Sequence, residues 1–154
     1  MFRFKGLSAA PFQPYHAMTD AELLARGARR MVADAKPGFP CRVSLEDAEP
    51  GERLVLLNFE HQPAHTPYRA TGPIFVRETA GAAYDAVGEV PSSLRTRLLS
   101  LRAYDAEGVI VEAGVAPGAG IETLLQRLFA RADTDVVHVH YASRGCYACK
   151  VERA

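Results

Sequence analysis

A chain of 154 residues has the length of one domain and can bury a hydrophobic core without cross-links. Apolar residues make up 48% of it and charged ones 23%, a composition that excludes bulk disorder and a collagen-like chain. Eighteen basic side chains balance eighteen acidic ones, so no excess of positive charge points to nucleic acid or an anionic membrane as partner. No apolar run approaches signal-peptide or bilayer length, and three cysteines, an odd number, suit free thiols in a reducing compartment. A cytoplasmic address is the expectation.

The alternation of Phe2 and Phe4 with Arg3 and Lys5 predicts a short opening strand. Thr19 and Glu22 form a capping-box pair ahead of Leu23 and Leu24, so a helix is predicted to begin near Asp20. Pro37 to Pro40 reads as a turn and Ser44 to Ala48 as one capped helical turn, stopped by Pro50 and Gly51. The nearly unbroken apolar run from Leu54 through Leu57 to Phe59 predicts a central strand buried on both faces. A loop from His61 to Gly72 then leads to a second strand, Ile74 to Val76, beginning at Pro73.

Two hairpins follow. The first joins Leu98–Tyr104 to Val109–Val115 around Asp105 to Gly108, and the second joins Asp135–Tyr141 to Gly145–Glu152 through Ser143, Arg144 and Gly145. Between them, Ile121, Leu124, Leu125, Leu128 and Phe129 fall at i, i+3, i+4, i+7 and i+8, one face of a helix. This order predicts a single α+β domain with a mainly antiparallel sheet of about six strands and two main helices on one face.

The chemistry is less explicit. Gly114 to Gly120 lies between a strand and a helix, but it lacks the Gly-Lys-Ser/Thr ending of a phosphate loop and the third glycine of a dinucleotide fingerprint; a connecting turn is expected. Cys146 and Cys149 have CxxC spacing, yet residues three apart on a regular strand point to opposite faces. Cys41 beside Arg42 reads as a buried structural cysteine, and the Glu46 and Asp47 carboxylates as first-turn helix charges.

His138 and His140, at i and i+2, share one strand face, with Val137, Val139 and Tyr141 on the other. A turn of two or four residues puts Tyr147 and Cys149 on the histidine face, making His138, His140 and Cys149 a three-ligand zinc set; a one-residue shift substitutes Cys146. The competing reading has the two histidines hydrogen-bonded on a half-exposed face. Glu60, His61 and His65 flank the proline-rich loop, near Arg69 and Arg77, a grouping suited to acid–base work on an anion but equally to an ordinary surface loop.

Beyond pattern, the wording of Pro37–Arg42, Ser44–Ala48 with Gly51 and Glu52, Gly72–Arg77, and Arg144–Ala148 with Val151–Arg153 resembles the bacterial domain of unknown function 1203 family over nearly the whole chain. The family's name carries no activity. The resemblance implies that a common site would draw on polar residues of the matching segments: Arg42, Glu60, His61, Arg69, Arg77 and Arg144. It also implies that the cysteine at 149 is incidental, because the family pattern commonly has another residue there.

Three readings follow from the sequence. In the first, the His61 to Gly72 loop and nearby arginines line a pocket for a small, anionic molecule, with no cofactor, and Arg77→Ala abolishes binding with the fold retained. In the second, zinc is held by His138, His140 and a cysteine. The third is a non-enzymatic interaction or assembly protein, such as a homodimer formed through an exposed hairpin edge.

Overall fold

Alternation of apolar and polar residues gives the larger sheet one apolar face, and a nine-residue helix covers that face. The computed structural model describes residues 1–154. The strands are β1 (Phe2–Lys5), β2 (Arg29–Val32), β3 (Arg53–Gln62), β4 (Ala70–Arg77), β5 (Asp85–Val87), β6 (Leu98–Tyr104), β7 (Ile110–Pro117), β8 (Val136–Tyr141) and β9 (Tyr147–Arg153). The helices are α1 (Gln13–His16), α2 (Asp20–Ala25), α3 (Ser92–Arg95) and α4 (Ile121–Phe129).

Six strands form an antiparallel sheet in the order β5-β1-β9-β8-β6-β7. Leu99, Leu101 and Ala103 of β6, Val137 and Val139 of β8, and Cys149 and Val151 of β9 pack against Ile121, Leu124, Leu125, Leu128 and Phe129 of α4. The five apolar positions expected from the helical period are thus the buried ones. Burying each is worth about 1.5–3 kcal/mol, which holds a nine-residue helix that would be marginal alone.

The α+β class and the antiparallel six-stranded sheet agree with the sequence. A second sheet, β2-β3-β4, was not foreseen. The run at Leu54 occupies its middle strand, and the neighbours Leu54 and Val55 are both buried because they face different clusters. Val55 packs with Phe12, Leu23 and Ala28, so α2 serves this smaller sheet and the helices do not share one layer. The helix at Asp20 has the predicted capping box: Thr19 Oγ1 accepts from the Glu22 amide and the Glu22 carboxylate accepts from the Thr19 amide.

One expected element is absent. Ser44 to Ala48 is a turn rather than a helical turn, with Leu45 in the left-handed region at φ 54°. That conformation costs about 1–2 kcal/mol, which is offset by complete burial of the Leu45 side chain in the larger core. No helix is long and apolar enough to cross a membrane.

Candidate metal centre

The β8–β9 hairpin turns where glycine permits it. Gly145, at φ 79°, closes the β8–β9 turn, and the chain then inserts an extra residue: Val139 pairs with Cys149 while His140 pairs with Tyr147. Ala148 has no partner on β8, and this bulge separates the two residues that simple parity keeps together. Tyr147 lies with the histidines. Cys149 lies with Val137 and Val139 in the core, where burial pushes its thiol up to about 12, away from the thiolate that zinc requires. The expected His138, His140 and Cys149 set is corrected accordingly.

A second bulge supplies the replacement. On the β3–β4 hairpin, Glu60 pairs with Thr71 and Gln62 with Ala70, so His61 is left unpaired and its ring turns onto the histidine face of the larger sheet. It lies 5.0 Å from the His140 ring and 6.2 Å from the His138 ring, centre to centre, and stacks on Tyr147 at 5.3 Å. One ligand atom from each of His61, His138 and His140 lies within 4.8 Å of the others. Nitrogens on a tetrahedral zinc ion are about 3.3 Å apart, so closure asks for ring movements of about 1.5 Å or less.

Hydrogen bonding prepares the ligands. His140 Nδ1 lies 2.9 Å from the Gly145 carbonyl, which fixes the proton on Nδ1 and leaves the Nε2 lone pair free. His140 Nε2, His138 Nδ1 and His61 Nδ1 are all buried and without a partner. Buried polar atoms are nearly always satisfied, and each orphan costs about 1–3 kcal/mol. Each of the three clustered rings thus carries a nitrogen with no competing hydrogen bond.

The imidazoles are also held in the protonation state that binds metal. Burial is the main cause that pushes His138 down to about 3 and His140 down to about 4; Arg102 and the neighbouring rings add to it, while the Gly145 carbonyl works the other way on His140. His61 is lowered by burial and by Arg102. All three imidazoles are therefore neutral at pH 7, the form that binds metal. His61 and His138 line a cleft of about 770 Å³, whose charged walls include Glu60, Asp105, Asp135, Glu152, Lys150 and Arg153, while His140 is fully buried.

The remaining sequence candidates are distributed elsewhere. Glu60 and Arg69 pair with each other at 2.8 Å on the surface of the hairpin, Glu60 also reaching the rim of the cleft. Arg77 is held by Glu52 at 2.8 Å, by Glu46 at 3.0 Å and by Ser44, so its guanidinium is already satisfied. Arg77→Ala is expected to lower stability by about 1–3 kcal/mol, read as an earlier urea midpoint with unchanged metal content. Arg42 and Arg144 line a separate cavity. Tyr104, whose ring lies 4.7 Å from that of His138, is a site neighbour the sequence reading did not name, although its alternation with Leu101 and Ala103 places it on the opposite face.

A family model described as Protein of unknown function (DUF1203) matches residues 38–153, a span that contains His61, His138 and His140 and also Arg42 and Arg144. No curated protein and no solved structure matches the chain.

Proposed function

From a chain that belongs to the DUF1203 family, we propose a divalent transition-metal protein in which His61, His138 and His140 hold the ion. Zinc is the favoured metal because three neutral imidazoles and a free fourth position are the ligand set of a catalytic zinc site. The observation that carries this reading is the convergence of three imidazoles, each offering one ligand atom within 4.8 Å of the others and each holding a buried, unpartnered nitrogen. Each neutral imidazole has one lone pair, and a cation accepts one from each of the three rings, whereas a single water donates only two protons.

Because two of the ligands line the cleft, the open coordination position faces a small-molecule site rather than a closed structural cage. A metal there would polarise a bound carbonyl or phosphoryl oxygen, or lower the pKa of a bound water toward 7. The cleft carboxylates Glu60, Asp105, Asp135 and Glu152, which share the cavity with Lys150 and Arg153, provide bases within it. A cytoplasmic, metal-assisted small-molecule function without a nucleic-acid partner is consistent with three free cysteines and zero net charge. Edge strand β7, with Val115 62% exposed, is what supports self-association as a secondary feature.

Elemental analysis of untagged protein tests the reading. About one metal per chain is expected in the wild type, with loss of most of it in His61→Ala, a half-buried position where truncation leaves the core intact. Metal-free wild type that stays metal-free after zinc addition would reject it.

A further inference from the structure

On the other side of the β8–β9 turn lies a cavity of about 570 Å³ with a different character. Its polar walls are Arg42, Arg97, Tyr141, Ser143, Arg144 and Cys146, with no carboxylate among the lining residues. Leu56, Pro73, Phe75 and Leu98 form an apolar wall. We propose that this cavity binds a small organic anion, an apolar body carrying one carboxylate or phosphate head, through Arg42 and Arg144.

The argument begins with Arg42, the only buried basic side chain that makes no ion pair, 3% exposed. Its Nε donates to the Tyr147 carbonyl at 2.7 Å and its Nη1 to the Pro40 carbonyl, while its Nη2 makes no hydrogen bond. A guanidinium removed from water without a counter-charge is expensive, and burial works against its charged form. The carbonyls hold the side chain in place but do not neutralise it. The Tyr141 ring, 5.0 Å from the guanidinium carbon, adds cation–π support without adding a negative charge.

The neighbouring charges sharpen the case. Arg97 also sits over Tyr141, but Asp47 accepts from it at 2.7 and 2.8 Å and cancels it. Arg144 is exposed and makes no ion pair. The cavity therefore presents two uncompensated guanidiniums, one fixed and buried and one exposed, which matches an anionic head gripped from two sides. The apolar wall selects against inorganic ions and for a ligand with a hydrocarbon part.

This site uses none of the three histidines, so it stands independently of the metal reading. The test is a calorimetric titration of the protein as purified with phenyl phosphate and with benzoate, using benzyl alcohol as the neutral control. At least one anion is expected to bind, benzyl alcohol to bind at least tenfold more weakly, and Arg144→Ala to lose about tenfold in affinity, or about 1.4 kcal/mol. Arg144 is exposed, so this variant keeps the fold. His61→Ala is expected to bind the anion as the wild type does. Binding by neither anion, equal binding of benzyl alcohol, unchanged affinity in Arg144→Ala, or loss of anion binding in His61→Ala would each overturn the assignment.

Discussion

The metal-free protein is expected to lose stability steeply in mild acid. His138 and His140 are held neutral by burial down to about 3 and about 4, whereas in the unfolded chain each titrates near 6.5. Below pH 6.5 the unfolded state therefore binds more protons than the folded state, and stability falls as pH falls; above pH 7 the contribution is constant. Between pH 7 and pH 5 the two groups together cost on the order of 4 kcal/mol, a large part of a domain's total stability. Asp47, whose carboxyl Arg97 holds low against the effect of burial, loses its contribution at still lower pH. Urea midpoints at pH 7 and pH 5 measure the effect, and the double variant His138→Gln/His140→Gln should flatten it. Equal wild-type midpoints would show that the imidazoles are solvated.

Zinc should act in the opposite direction. An ion that binds the folded state alone stabilises it by about 2.7 kcal/mol at a hundredfold excess over its dissociation constant, or about 5–10 °C in melting temperature for a chain of this size. The rise should vanish in His140→Ala, which removes the imidazole whose tautomer Gly145 sets, and persist in Cys149→Ala, because Cys149 faces the core. It should also weaken as pH drops through the range in which protons compete for the same nitrogens. A zinc response lost in Cys149→Ala but kept in His140→Ala would restore the cysteine as ligand.

Local patterns carried much of the fold. The capping box at Thr19, the apolar face of α4 and the two hairpins follow from residues close together in sequence, and the structure has all of them. The smaller sheet was hidden because β2 pairs with β3 across a long loop, and Arg29, Arg30, Met31 and Val32 have no alternating pattern of their own. The turn at Leu45 was misread for a related reason. Its local residues favour a helix start, but burial of one leucine in a distant core decides its conformation.

The candidate site divides in the same way. His138 and His140 share a face by strand geometry alone, and that much was legible. Their third partner was not, because His61 belonged to a separate loop hypothesis and reaches the cluster through a bulge and through contact between two sheets. The bulge at Ala148 likewise exchanges Tyr147 and Cys149 relative to simple parity. Bulges shift register by one residue and leave little trace in composition, yet here two of them determine which side chains meet.

X-ray absorption at the zinc edge, on untagged protein loaded with zinc, tests the central claim most directly. The account predicts three imidazole nitrogens and one further oxygen or nitrogen at about 2.0–2.1 Å, with no sulfur. A sulfur scatterer at about 2.3 Å, or fewer than three imidazoles, would contradict the assignment of His61, His138 and His140 as the metal ligands.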